Sequence, residues 1–321
     1  MKSSAESYGK TFKRIFLSKT SILFYATILL FIIFSVSTTG FFTLRNFLTI
    51  LRSMCIITVL GLGISFVITA GEIDLSIGTL PAMCGAVLAV LLKNGTNVMF
   101  AMLVSLLVAI AVGFFNGVII SKSNQPSIII TLALYMVCQG FAYIITNQAP
   151  VVVSNTAFLS LFSSTVFGFP VIVIWMLGLS VVCYFLMHKT RYGNNLAITG
   201  DNKVAALFVG INVNVTLVAS FVICAIFSFF AAMLGVAQNA NASPTMITPD
   251  MMTAIAATLI GGTSLSGGEG NIPGTLLGSF FLMMIANGIL ILGIDQWVLY
   301  LINGLIILLT LILRNYSKKA S

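Results

Sequence analysis

The sequence predicts an all-α polytopic membrane protein, and three observations carry that expectation. Of the 321 residues, 59% are hydrophobic and only 7% charged, whereas a soluble domain averages about 25% charged residues; mean hydropathy is +1.12. The apolar residues run continuously over spanning lengths instead of alternating as a β-barrel wall requires. The 15 basic residues are unevenly shared among the segments between those runs, as membrane topology demands.

The elements follow in order. Residues 1–20 are polar and carry Lys2, Lys10, Lys13, Arg14 and Lys19. The first apolar run continues to Val36 without an A-x-A site, so no cleaved signal peptide is expected. Runs of about 17–25 residues place ten spans near 21–37, 53–70, 75–92, 98–120, 127–146, 170–187, 215–236, 251–265, 273–292 and 297–313. The third and eighth are short and abut glycine-rich turns, which points to broken or re-entrant helices. Residues 21–313 then form one transmembrane domain, preceded by a cytoplasmic segment, 1–20, and followed by a tail, 314–321.

Counting basic residues orients the chain. With both termini in the cytoplasm, that side holds twelve: the five above plus Lys122, Lys189, Arg191, Lys203, Arg314, Lys318 and Lys319. The other side holds Arg45, Arg52 and Lys93. An odd number of spans would put the Arg314–Lys319 tail on the wrong side of this bias. Spans two to five then begin outside and spans seven to ten inside, the arrangement of an inverted repeat.

One stretch breaks the pattern. From His188 to Asn214 the chain stays out of the apolar register and carries three basic side chains, Lys189, Arg191 and Lys203. By the same count this island is a cytoplasmic loop. Within it, 203–209 reads as a short helix, with Asp201 or Asn202 placed to cap its start and Gly210 to end it.

Several chemistries find no support. Cys55, Cys84, Cys138, Cys183 and Cys224 lie inside apolar runs at irregular spacing, which argues against a disulfide framework or a metal site. The net charge of +8 is explained by cytoplasmic loops rather than nucleic acid. Gly9-Lys10-Thr11 resembles the end of a P-loop, but Ser4 occupies the position of the required earlier glycine. Leu265-Ser266-Gly267-Gly268-Glu269 resembles an ATPase signature loop without a nucleotide fold around it. The single histidine, His188, reads as a solvated interfacial residue. No catalytic constellation is present, so the chain is not expected to be an enzyme.

Two further segments stand out. Gly71-Glu72-Ile73-Asp74-Leu75-Ser76-Ile77-Gly78 places two acids at the end of an apolar span. Asp74 or Ser76 caps the next helix, or the break lines a cavity or gate where irregular backbone is tolerated. The segment 261–271 holds five glycines, at 261, 262, 267, 268 and 270, with Ser264 between them and Pro273 opening the next helix. Such density calls for positive φ or close approach of another segment. Gly113-x-x-x-Gly117 and Gly274-x-x-x-Gly278 are small-residue pairs suited to packing helices within the bundle.

In these three segments the chain resembles the permease subunit of ATP-binding-cassette importers of the ribose/galactoside sugar type. The G-x-I-D-L-S-x-G element is met from Gly71 to Gly78. The cytoplasmic-loop pattern is met by Ala197, Gly200, Asn202, Ala205, Ala206, Gly210, Ile211 and Asn212. The A-I-A-A and glycine-rich pattern is met from Ala254 to Gly270. The three stand in register over roughly 45–313. The resemblance implies a bacterial inner-membrane protein that forms a sugar pathway with a second permease copy or a sister chain. It also implies two cytoplasmic ATPase domains that hydrolyse the ATP, and a periplasmic or lipid-anchored solute-binding protein. It assigns ATPase coupling to Gly200, Asp201, Asn202, Ala205, Ala206 and Gly210, and a gate or pathway role to Gly71, Glu72, Asp74, Ser76 and Gly78. No cofactor or metal is expected on this chain. The sequence departs from the pattern at Glu72 and at Met251 and Thr253, with Asp250 nearby. The competing expectation is an ion-coupled secondary transporter using Asp250, Glu269 or Asp295.

Overall fold

The computed structural model describes residues 19–295 apart from 124, and positions 297, 298, 301, 302, 304, 305 and 308. The N-terminal segment before residue 19, the tail 314–321 and most of the expected tenth span lie outside the described residues.

The chain folds as helices with minimal strand. In order these are α1 (Lys19–Ser37), α2 (Leu44–Thr69), a 3-10 turn (Ser76–Gly78) running into α3 (Leu80–Lys93), α4 (Val98–Lys122), α5 (Ser127–Thr146), α6 (Thr156–Ser163) and α7 (Val171–His188). Then come α8 (Arg191–Asp201), α9 (Lys203–Phe208), α10 (Val213–Asn239), α11 (Asp250–Ile260) and α12 (Ile272–Ile291). Among the described residues, eight helices are long and apolar enough to cross a membrane. They match the first seven expected spans and the ninth.

Caps written in the sequence set many of the starts. Thr43, Asn97, Asn155, Thr190, Asn202, Asn212 and Asn271 each accept a backbone N–H at the first turn of their helix. Such caps satisfy donors that have no partner inside the helix.

The structure corrects or extends the expectations in four places. The second span begins nine residues earlier than expected, at Leu44, because Arg45 and Arg52 sit on a helix that Thr43 has already capped. The eighth is only the 11-residue α11, about 16 Å long at 1.5 Å per residue, well short of a bilayer core of about 30 Å. The segment 147–169, between the fifth and sixth expected spans, contains α6, which buries Phe158 and Phe162. The island contains a second helix, α8, in addition to the expected short one; it is held by the Thr190 cap and by buried Leu196.

α2, α3 and α10 form the buried centre, while α1, α4 and α5 expose most of their apolar side chains, as lipid-facing helices do. Gly113 and Gly117 of α4 lie against the backbone of α10 at Phe221, Val222 and Val218. Gly274 and Gly278 of α12 lie against Gly261 and Ala257. The small-residue pairs thus bring helices of this bundle together.

The series α2, break, α3, α4 is matched in order by α10, break, α11, α12. α3 packs on α4 and α10, and α11 packs on α12 and α2. The two breaks meet inside the bundle, where Met251 lies against Gly78. At the end of the bundle away from the island, strands β1 (Val151–Val152) and β4 (Asn241–Ala242) pair antiparallel, and a hairpin of β2 (Thr165–Val166) and β3 (Phe169–Pro170) precedes α7.

Candidate functional site

The three motif segments, far apart in sequence, converge at the island end of the bundle. α2 ends in a turn in which Gly71 donates to Ile68 and Glu72 to Val67, with Gly71 at φ +81°. Gly210 closes α9 in the same way, donating to Leu207 while Ile211 donates to Ala206. Both need the left-handed conformation that glycine takes at low cost.

Gly200, at the end of α8, is the contact point. A Cβ there would stand 1.8 Å from the Thr69 carbonyl oxygen and 2.7 Å from the Gly268 nitrogen. The Gly268 N–H in turn donates to that Thr69 oxygen at 2.9 Å. Gly267 faces the Gly200 carbonyl, and Gly270 faces Thr69 and Met187. The glycines at 200, 267, 268 and 270 therefore allow three backbones to touch. Ser264 donates its N–H to Glu269 and closes the glycine-rich turn. Gly261 packs on Gly274, and Gly262 takes φ +104° where α11 ends.

Asn271 ties the cluster off. Its Oδ1 caps α12 at Gly274, its Nδ2 donates to Gly261 O and Thr20 Oγ1, and its own N–H donates to Thr263 Oγ1. Tyr192 of α8 stacks on Phe66 of α2 with centroids 6.3 Å apart. Burial pushes its phenol well above the ordinary range, so it stays neutral.

Glu72 pairs with Lys203 at the start of α9. The departure noted at Glu72 thus has its partner within the island. Lys203 is 49% exposed, and such a pair contributes at most about 1 kcal/mol.

The rest of the first motif goes deeper. Asp74 is buried, and its Oδ1 accepts from Ser76 N at 2.9 Å and Ser76 Oγ at 2.6 Å. Asn116 of α4 donates to Ser76 Oγ at 3.1 Å. Asp74 and Ser76 form a local turn, but neither caps the next helix: the 3-10 turn starts after Leu75 and α3 after Thr79, without a side-chain cap on either. Gly78 lies where the two breaks meet.

Within the island, Asn202 caps α9 by accepting from Val204 N and Ala205 N, and Asp201 packs beside Gly268. Ala206 is fully buried against this chain's own residues, whereas Ala205 is exposed. The side chains that α9 and its end present outward are Val204, Leu207, Phe208 and Val209, with Phe208 at 88% exposure. The sequence reading passed over them, as it did Thr69 and Lys203. Their signal was four apolar residues inside a polar loop.

Residues 46–311 match the family of the branched-chain amino acid transport system / permease component. The chain belongs to this permease family. The ribose import permease protein RbsC of Escherichia coli K12 is 32% identical over 294 residues, which cover 90% of this permease and 92% of that protein. RbsC of Bacillus subtilis strain 168 is 32% identical over 292 residues, covering 90% and 91%. The D-allose transport system permease protein AlsC of Escherichia coli K12 is 31% identical over 306 residues, covering 95% and 94%. A solved metal-chelate-type ABC transporter in an inward-facing conformation covers 85% of this permease at 16% identity and a TM-score of 0.48, too distant to bear on its function. The resemblance expected from the three motifs agrees with the family and with these relatives.

Proposed function

We propose that this permease is the membrane-spanning subunit of an ATP-driven importer of a sugar, seated in a bacterial inner membrane with the island on the cytoplasmic side. The family description names branched-chain amino acids, but relatives sharing about a third of their residues along nearly the whole chain carry ribose and D-allose in their names. Relatedness of that extent outweighs a family-wide label. The twelve-to-three basic asymmetry supports the orientation.

The observation that carries the mechanism is the island's structure. α8 is welded to α2 and to the glycine-rich turn through Gly200, Gly267 and Gly268. α9 meanwhile turns Val204, Leu207 and Phe208 outward, away from the bundle. A lipid-facing helix would explain exposed apolar side chains; a short helix in a polar cytoplasmic loop needs a protein partner. We assign that partner as an ATPase domain, one for each of two permease chains, identical or sister. The glycine contacts give motion of α9 a rigid route to the end of α2 and so to the break at 70–78. A solute-binding protein on the far side delivers the sugar. ATP is hydrolysed by the ATPase domains.

The test is uptake of labelled D-ribose, D-allose and L-arabinose into proteoliposomes holding the complete complex. Uptake that requires internal or external ATP on the ATPase side and the binding protein on the other is expected. Uptake driven by an ion gradient without ATPase subunits would overturn the proposal.

A further inference from the structure

A cavity of about 540 Å³ opens among the ends of α2, α10, α11 and α12 that lie away from the island. That size is in the range of about 300–1,000 Å³ typical of small-molecule sites. Asp250, Thr253 and Asn287 line it, together with Thr49 and Ser53 of α2 and Gln238 and Asn239 of α10. Isoleucines and leucines of α2 and α12 complete the wall. Among the described residues that line it, none is basic.

Two features stand out. Asn287 Oδ1 is buried without a hydrogen-bond partner among the described residues, as is Asn116 Oδ1 beside the first break, although buried polar atoms are nearly always paired. Asp250 stands in the first turn of α11, at the second break, in the place Asp74 holds at the first. At the first break the acid is consumed by Ser76, and Asn116 of α4 gives its N–H to the same serine. At the second break the acid and Asn287 of α12 both line the cavity.

The geometry points to this cavity as a subsite for a neutral polyhydroxylated solute on its way through the permease. Sugar hydroxyls both donate and accept, so a carboxylate, three amides and three hydroxyls in an otherwise apolar wall suit them. An amino acid is disfavoured: its carboxylate finds no cation, and the helix start that would otherwise attract it carries Asp250. The inference rests on the sugar-import reading above and names the residues that would meet the sugar.

The experiment uses the complete complex in proteoliposomes, with D-ribose, D-allose, L-arabinose and L-leucine as labelled solutes and ATP hydrolysis followed in parallel. Asp250→Asn and Asn287→Leu are each expected to cut sugar imported per ATP hydrolysed about tenfold, the scale of losing one hydrogen bond to the solute. Independently, Ser53→Cys is expected to react with a neutral maleimide added from the binding-protein side, and saturating sugar should slow that reaction. The five native cysteines are buried, so the new thiol reports alone. A ratio within twofold of wild type in both variants, or labelling indifferent to sugar where the variants do not assemble, overturns the subsite and leaves sugar import standing. A wild-type complex that imports leucine and none of the three sugars overturns the functional reading, and the subsite with it.

Discussion

The two breaks in the bundle are made from the same order of parts. Each follows a long central helix, precedes a short one, and places an aspartate near its end: Asp74 at the first, Asp250 at the second. At the first break the chain's own residues meet the carboxylate, although Asn116 Oδ1 has no partner among the described residues. Ser76 meets the carboxylate, Asn116 meets Ser76, Thr131 and Ser127 hold Ile73, and the island covers Gly71. At the second break a cavity remains, lined by the acid and by Asn287. One architecture thus provides a closed end braced for mechanical contact and an open end suited to a solute. The difference lies in the neighbouring side chains and in the island, which has no counterpart among the described residues at the other end.

The strongest way to break the comparison is to unseat the island. Gly200→Leu would put carbon 1.8 Å from the Thr69 oxygen, against backbone that cannot rotate away. We expect loss of ATP-driven uptake and new protease cleavage in 188–214, with a cost of about 3 kcal/mol or more. Wild-type uptake with an intact island would show that the first break is not braced from outside. This role belongs to contact within the chain, since Gly200 faces α2 and the glycine-rich turn.

Next in size is the buried acid. Asp74→Ala strands Ser76 and Asn116, and an unsatisfied buried group costs about 1–3 kcal/mol. A lowered Tm of the detergent-solubilised permease is expected. Asp250→Ala, facing a cavity, should leave Tm nearly unchanged. Equal losses from the two variants would erase the distinction between closed and open break.

A third prediction concerns the outward face of α9. Phe208→Ser removes a large exposed apolar side chain, and we expect about tenfold weaker association with the ATPase subunit, in keeping with truncation of an aromatic anchor. Tm of the isolated permease should not fall. An unchanged affinity in a pull-down titration would place the partner surface elsewhere.

The smallest effect belongs to Glu72 and Lys203. Glu72→Gln should cost less than about 1 kcal/mol, and the loss should vanish at high salt because exposed charges are screened. A larger, salt-insensitive loss would mean that this pair, rather than the glycine contacts, seats α9.

Much of this was legible in the sequence, and the particular residues show why. Run lengths and basic-residue placement fixed the class and most of the spans, because a bilayer tolerates only helices whose backbone bonds close internally. Asn202 and Gly210 announced helix ends through chemistry that acts over three or four residues. The three motifs were also visible, as separate strings.

Their meeting was not. That Gly200 touches Thr69 and Gly268, that Glu72 reaches Lys203 across 131 positions, and that Asn287 and Asp250 share a cavity depend on how the helices stack. α11 likewise could not be measured from its apolar run, since Leu265 and its neighbours continue the composition after the helix has stopped at Ile260. Local sequence determines where a backbone can bend and which residues avoid water, for both are settled within a few residues. Which bends end up against one another, and whether a buried aspartate is satisfied by a serine or left facing a space, is decided only when the whole bundle has packed.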